Sequence, residues 1–202
     1  MDDTVSTLII FGGTGDLASR LLLPGLGRLL TEQPDRRIRL IGSGRSSRSD
    51  EQWTDTVREA FDTVEATGPA VEHALADTRY LSANTSSAKD LEQLLESSTG
   101  IPALYFALPP AVTAKAVETL KEVELPAGTV LVLEKPFGTD RRSAVELNGL
   151  LAQLVPQEQV FRVDHFLGTS TVLNVLGMRF TNRLFEPLWN RDHIARVEIV
   201  YD

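Results

Sequence analysis

Short apolar runs alternate along this chain with longer stretches whose apolar residues recur three and four apart. The first run, Thr7–Phe11, reads as a buried strand. Asp16–Leu30 reads as a helix, with Leu17, Leu21, Leu22, Leu26, Leu29 and Leu30 on one face, and Pro24 inside it is expected to kink or split it. Arg37–Ser43 is a second strand, and Ser49 or Asp50 caps a helix reaching about Val64. Further on the pattern predicts strands at Arg79–Leu81, Ala103–Ala107, Thr129–Glu134 and Val160–Val163. Helices are predicted at Ala88–Glu96, Ala111–Val123, Arg141–Leu154 and Gly168–Phe180, and Pro109-Pro110 stops the strand before the second of these.

Apolar strands separated by helices imply a parallel sheet covered on both faces. Right-handed crossovers then give a doubly wound, Rossmann-like α/β fold. The expected division is a dinucleotide-binding domain over residues 1–168 and the start of a second, α+β domain over 169–202. Ile194–Tyr201 alternates apolar and polar side chains, as a strand with one wet face does. A lone strand needs a pairing partner, so the rest of that domain is expected beyond residue 202.

Composition narrows the function classes. The 202 residues are 42% hydrophobic and 24% charged, ordinary for a chain that buries its own core. Cysteine is absent, which excludes disulfides and thiolate metal sites, and no metal is expected. No apolar run reaches the roughly 20 residues of a membrane helix, and Met1-Asp2-Asp3 is unlike a secretory start. A cytoplasmic protein without a membrane partner is expected. The net charge of −8 argues against a nucleic-acid surface, so an anionic ligand needs a local basic pocket.

One such place opens the chain. Gly12-Gly13-Thr14-Gly15-Asp16-Leu17 joins the first strand to the first helix. Gly12 allows a tight turn, Gly15 allows close backbone approach to phosphate, and the helix start offers free N–H groups. Thr14 adds a hydroxyl donor. After the second strand comes Ser43-Gly44-Arg45-Ser46-Ser47-Arg48, with no acid before Asp50. An acid there would take the ribose hydroxyls of NAD; Arg45 and Ser46 suit a 2′-phosphate, so the expected cofactor is NADP. Near the end, Asp164 and His165 place a carboxylate beside an imidazole after the last predicted strand of the first domain.

These segments, with Tyr105-Phe106-Ala107-Leu108-Pro109-Pro110, Glu134-Lys135-Pro136-Phe137-Gly138, the run Arg162 to Gly168 and the run Asn182 to Asn190, resemble the glucose-6-phosphate dehydrogenase family in order and spacing. The resemblance implies an NADP-dependent oxidoreductase of glucose metabolism, oxidising glucose 6-phosphate at C1 to the 6-phosphogluconolactone in the pentose phosphate pathway. It implies a coenzyme site at Gly12, Gly13, Thr14, Gly15, Asp16, Leu17, Arg45, Ser46, Tyr105 and Lys135. It also implies a hexose-phosphate site at Lys135, His165 and the Thr169 position, with Lys135 and Asp164 in catalytic roles. In the family the aspartate orients a more distant histidine, the general base. Homo-oligomerisation is left open for a full-length protein.

The chain departs from the family where Phe166 replaces a tyrosine and Thr169 a lysine. Losing one neutral and one charge-assisted hydrogen bond amounts to about two orders of magnitude in phosphoester affinity. Besides His165 the histidines are His73, in the acidic stretch Glu72–Asp77 of a solvated helix or loop, and His193. Neither matches the base, so the chain alone is expected to be inactive. A stand-alone, non-catalytic NADP(H)-binding module, or a paralogue with another sugar substrate, is the alternative. A short-chain reductase is disfavoured, because none of Tyr80, Tyr105 and Tyr201 has a lysine four residues on.

Overall fold

The computed structural model describes residues 5–198 and residue 200. The chain divides into two compact units, one ending at Val163 and the other starting at Asp164.

The first unit is built on a six-stranded parallel sheet. Its strands are β1 (Val5–Phe11), β2 (Arg39–Gly44), β3 (Arg79–Ser82), β4 (Ile101–Phe106), β5 (Val130–Glu134) and β6 (Val160–Val163), in the order β3-β2-β1-β4-β5-β6. The order reverses between β1 and β4, whose register pairs Ile9 with Leu104 and Phe11 with Phe106. At such a switch point the crossovers leave in opposite directions, and a crevice opens at the carboxyl ends of the strands.

The connecting helices are α1 (Leu23–Glu32), α2 (Asp50–Asp62), α3 (Pro69–Ala76), α4 (Ala88–Glu96), α5 (Pro110–Leu120) and α6 (Arg141–Leu154). Period-2 alternation along the strands feeds two cores. Ile9, Phe11, Leu104, Phe106, Leu131 and Leu133 meet α4, α5 and α6, while Ile10, Leu40 and Tyr80 meet α1, α2 and α3. The doubly wound reading of the sequence therefore holds, strand by strand.

Local signals explain the helix starts. The Ser49 hydroxyl accepts the Gln52 N–H while the Gln52 side chain accepts the Ser49 N–H, a reciprocal cap. Asp50 does not cap; its carboxylate takes the Tyr80 N–H at 2.8 Å and ties α2 to β3. Asp140 and Ser143 form a second reciprocal cap at α6, which holds the Asp140 carboxyl below its ordinary range.

The helix expected over Asp16–Leu30 is split. Ala18–Leu22 forms a wide π turn, in which the Leu23 N–H reaches back to the Ala18 carbonyl, and α1 begins beyond it with Pro24 in its first turn. Proline has no N–H to donate and collides with a carbonyl four residues back, and the wide turn accommodates both. The extra residue rotates the apolar face. Ala18, Leu23, Leu26 and Leu30 are buried, whereas Leu21, expected inside, is 53% exposed. His73 lies exposed on α3, whose Ala70, Val71 and Ala74 are buried.

The second unit contains α7 (Ser170–Thr181), flanked by single 3-10 turns at His165–Gly168 and Glu186–Leu188. None of its described residues is buried. The strand expected over Ile194–Tyr201 is not formed: residues 194–198 and 200 are irregular, and Ile199 and Tyr201 lie outside the described residues. Strands are held by ladders, and the second unit has no other strand among its described residues to supply one.

One buried chain of hydrogen bonds fastens α2 to the sheet. The Trp53 indole N–H donates to Thr78 Oγ1 at 2.8 Å, and that hydroxyl donates to the Leu40 carbonyl at 3.0 Å. Thr78→Val keeps the shape and orphans the indole donor. Stability should fall by roughly 1–3 kcal/mol, read by urea unfolding followed through tryptophan fluorescence. An unchanged midpoint would contradict the role assigned to this chain of bonds.

Candidate functional site: the crevice at the switch point

β1 ends at Phe11, and the chain turns at Gly12 with φ +80, a backbone region that favours glycine. A Cβ on Gly12 would stand 2.3 Å from the Ala107 carbonyl oxygen. The Ser43 carbonyl accepts both the Gly12 N–H at 2.8 Å and the Gly13 N–H at 3.0 Å. Gly13 sits beneath the loop, where a Cβ would press Gly42 and the Trp53 ring at 3.2 Å. The Gly15 N–H closes the turn onto the Gly12 carbonyl at 2.9 Å.

The glycine amides are thus taken up in shaping the loop. Among the described hydrogen bonds none uses the N–H of Thr14, Asp16 or Leu17. Those amides, at the entry to the helical run, are the donors left for an anion.

The crevice encloses about 240 Å3. Gly12, Thr14 and Gly15 form one wall, Ser43, Gly44, Arg45 and Ser46 the second, and Ala107, Leu108 and Val112 the third. Arg45 is the single charged residue lining it among the described residues. The nearest acid in sequence, Asp50, is held by the Tyr80 N–H. In a chain of net charge −8, this crevice carries local positive charge. A dinucleotide fits these residues: the backbone approach is open where side chains at 12 and 15 would close it, and the uncommitted amides and Arg45 suit phosphate oxygens.

Of the residues expected to hold coenzyme, the structure brings Gly12, Thr14, Gly15, Arg45 and Ser46 together. Asp16 is exposed and Leu17 half-buried at the start of the helical run. Tyr105 and Lys135 do not line the crevice; they stand farther along the sheet, on β4 and just after β5. The Tyr105 hydroxyl donates to the Glu134 carboxylate, a partnership that sequence reading did not identify. Burial, then the Glu134 hydrogen bond and charge, push the Tyr105 phenol far above its ordinary value. Lys135 has an exposed side chain; its N–H donates to the Val163 carbonyl at 3.0 Å, and its peptide bond to Pro136 is cis.

Asp164, His165 and Thr169 belong to the second unit. The Asp164 carboxylate accepts the Phe166 N–H at 3.1 Å, capping the 3-10 turn that carries His165. The Thr169 hydroxyl donates to the Phe166 carbonyl at 2.9 Å, so this position supplies no cation.

The Tyr105–Glu134 pair has a consequence at alkaline pH. The folded-state phenol lies above the unfolded value of 10.0, so its stabilising contribution is complete below that pH and is lost as pH rises beyond it. Wild-type stability should therefore fall more steeply above pH 10.0 than that of Tyr105→Phe, measured by urea unfolding across that range. Parallel pH profiles would contradict the half-buried, protonated phenol.

Comparison with known proteins agrees with this geometry. Residues 9–174 match the family described as glucose-6-phosphate dehydrogenase, NAD binding domain. The glucose-6-phosphate 1-dehydrogenase of Rhizobium meliloti is 38% identical over 201 residues, covering 95% of this chain and 41% of that protein. Cytoplasmic glucose-6-phosphate 1-dehydrogenase 5 of Arabidopsis thaliana is 33% identical, covering 96% of this chain and 42% of its own length. The crystal structure of the Mycobacterium avium enzyme superposes with a TM-score of 0.75 at 32% identity, covering 93% of this chain and 42% of that one. A glucose-6-phosphate dehydrogenase in complex with its substrate glucose-6-phosphate superposes with a TM-score of 0.73 at 29% identity. The chain spans about two-fifths of the length of these relatives. A switch-point crevice and a family match over most of the sheet lead to one statement: the chain belongs to the glucose-6-phosphate dehydrogenase family, within its nicotinamide-dinucleotide-binding domain.

Proposed function

We propose that this chain is the coenzyme-binding part of an NADP-linked glucose-6-phosphate 1-dehydrogenase of the cytoplasm. NADP, when bound, supplies the hydride acceptor for oxidation at C1 of the sugar. The observation that carries the reading is the crevice wall at the end of β2: Arg45 and Ser46 stand where an NAD enzyme places a carboxylate. A guanidinium there offers paired donors and full charge to a phosphate on the ribose, and repels nothing in a crevice lined by no acid.

The remaining roles follow from residue chemistry. Lys135, exposed after β5, carries a compact positive charge suited to sugar or coenzyme oxygens. His165 donates to a phosphate in either protonation state. Asp164 holds a base histidine in one tautomer and stabilises its cation. His73 is no candidate for that base, because it lines a cavity with Val5 and Ser6 at the amino end of β1, opposite the crevice. We therefore expect no detectable oxidation of glucose 6-phosphate by the 202-residue chain, in a coupled NADPH absorbance assay; measurable turnover would show that a base is present. The hydroxyl of Thr169, turned onto its own backbone, favours a second reading in which the sugar is held less tightly through its phosphate, or is a different one.

The coenzyme assignment has a direct test. In calorimetric titrations NADP should bind more tightly than NAD, by roughly 10- to 100-fold for one charge-assisted contact. Arg45→Ala should remove most of that difference and leave NAD affinity nearly unchanged. Equal affinities in the parent chain would contradict NADP preference.

A further inference from the structure

One hydroxyl beside the crevice has no evident structural use. Tyr80 Oη is cut off from solvent and makes no hydrogen bond among the described residues. Its ring is well held: it packs on Trp53 with centroids 5.8 Å apart, and its backbone N–H is bound by Asp50. Phenylalanine would satisfy the same packing without burying an unpaired donor, and a buried hydroxyl left unpaired costs stability.

The position of that oxygen is informative. It lies directly under the end of β2, where a Cβ on Gly44 would be 2.7 Å from it and 3.8 Å from Thr14 Oγ1. Thr14 and Gly44 both line the crevice, and Tyr80 does not. Burial raises the phenol above its ordinary value, while the Arg48 charge and the Thr14 hydroxyl work against burial, so both groups lie within electrostatic reach.

We propose that Tyr80 is a positioning residue for the coenzyme, its O–H turning to donate to Thr14 Oγ1 when coenzyme binds, so that the Thr14 proton turns outward to a phosphate oxygen. A threonine hydroxyl has one proton and two lone pairs. If that proton pointed back at Tyr80, Thr14 would present lone pairs to an anion and repel it. A donor behind Thr14 fixes the direction, and hydrogen bonds in such a chain strengthen one another. The buried phenol is thus a stability cost retained for binding. The inference rests on the dinucleotide reading of the crevice.

The test combines affinity with stability. NADP and NAD are titrated by calorimetry into the wild-type chain, Tyr80→Phe, Thr14→Val and the double variant, and the thermal midpoint of each ligand-free protein is measured. Tyr80→Phe should unfold at the wild-type temperature or higher, yet bind NADP roughly three- to tenfold more weakly. The double variant should bind within about twofold of Thr14→Val, because both changes break one relay. Weakening of both coenzymes places the phosphate oxygen in the diphosphate, and weakening of NADP alone places it on the ribose 2′-phosphate; either supports the relay. Unchanged affinity in Tyr80→Phe, additive losses in the double variant, or a destabilised ligand-free Tyr80→Phe overturns it. A wild-type chain that binds neither coenzyme overturns the dinucleotide reading itself.

Discussion

The crevice depends on one backbone arrangement. The Ser43 carbonyl at the end of β2 holds the N–H groups of Gly12 and Gly13, and Gly12 packs against the Ala107 carbonyl just past β4. Three chain segments therefore meet at a point that only glycine fits. This fixes the loop before any ligand arrives and leaves the amides of Thr14, Asp16 and Leu17 unused by any described hydrogen bond. A preorganised donor set costs little entropy when an anion binds. The same knot sets Arg45 at the rim, because Gly44 and Arg45 continue directly from the residue whose carbonyl holds the loop.

Charge then discriminates within that geometry. The chain as a whole carries net negative charge, whereas Arg45 is the one charged residue lining the crevice among the described residues, and the Asp50 carboxylate is bound by the Tyr80 N–H. The same bond ties α2 to β3.

Much of this was legible in the sequence. Strands and helices alternate with clear periods, α4, α6 and β6 fall at their expected bounds, and the glycine loop opens where the motif places it. The rest required three dimensions. Pro24 announced a disturbance in the first helix, but not that a π turn would rotate Leu21 outward and Leu23 inward. Alternation at Ile194–Tyr201 suggested a strand, yet alternation describes a face and not the partner that a ladder needs. The Tyr105–Glu134 bond joins residues 29 positions apart, and the fold sets the buried Tyr80 hydroxyl close to Gly44, 36 positions earlier, and no local pattern signals either. Tyr105 was expected at the coenzyme on resemblance; the structure bonds it to Glu134, outside the residues that line the crevice.

The most direct measurement is a crystal structure of the chain soaked with oxidised NADP. The diphosphate should lie against the Thr14, Asp16 and Leu17 amides and the ribose phosphate on Arg45 and Ser46. A coenzyme bound elsewhere on the sheet, or a crevice that remains closed to it at saturating concentration, would rule out the glycine loop and Arg45 as its binding site.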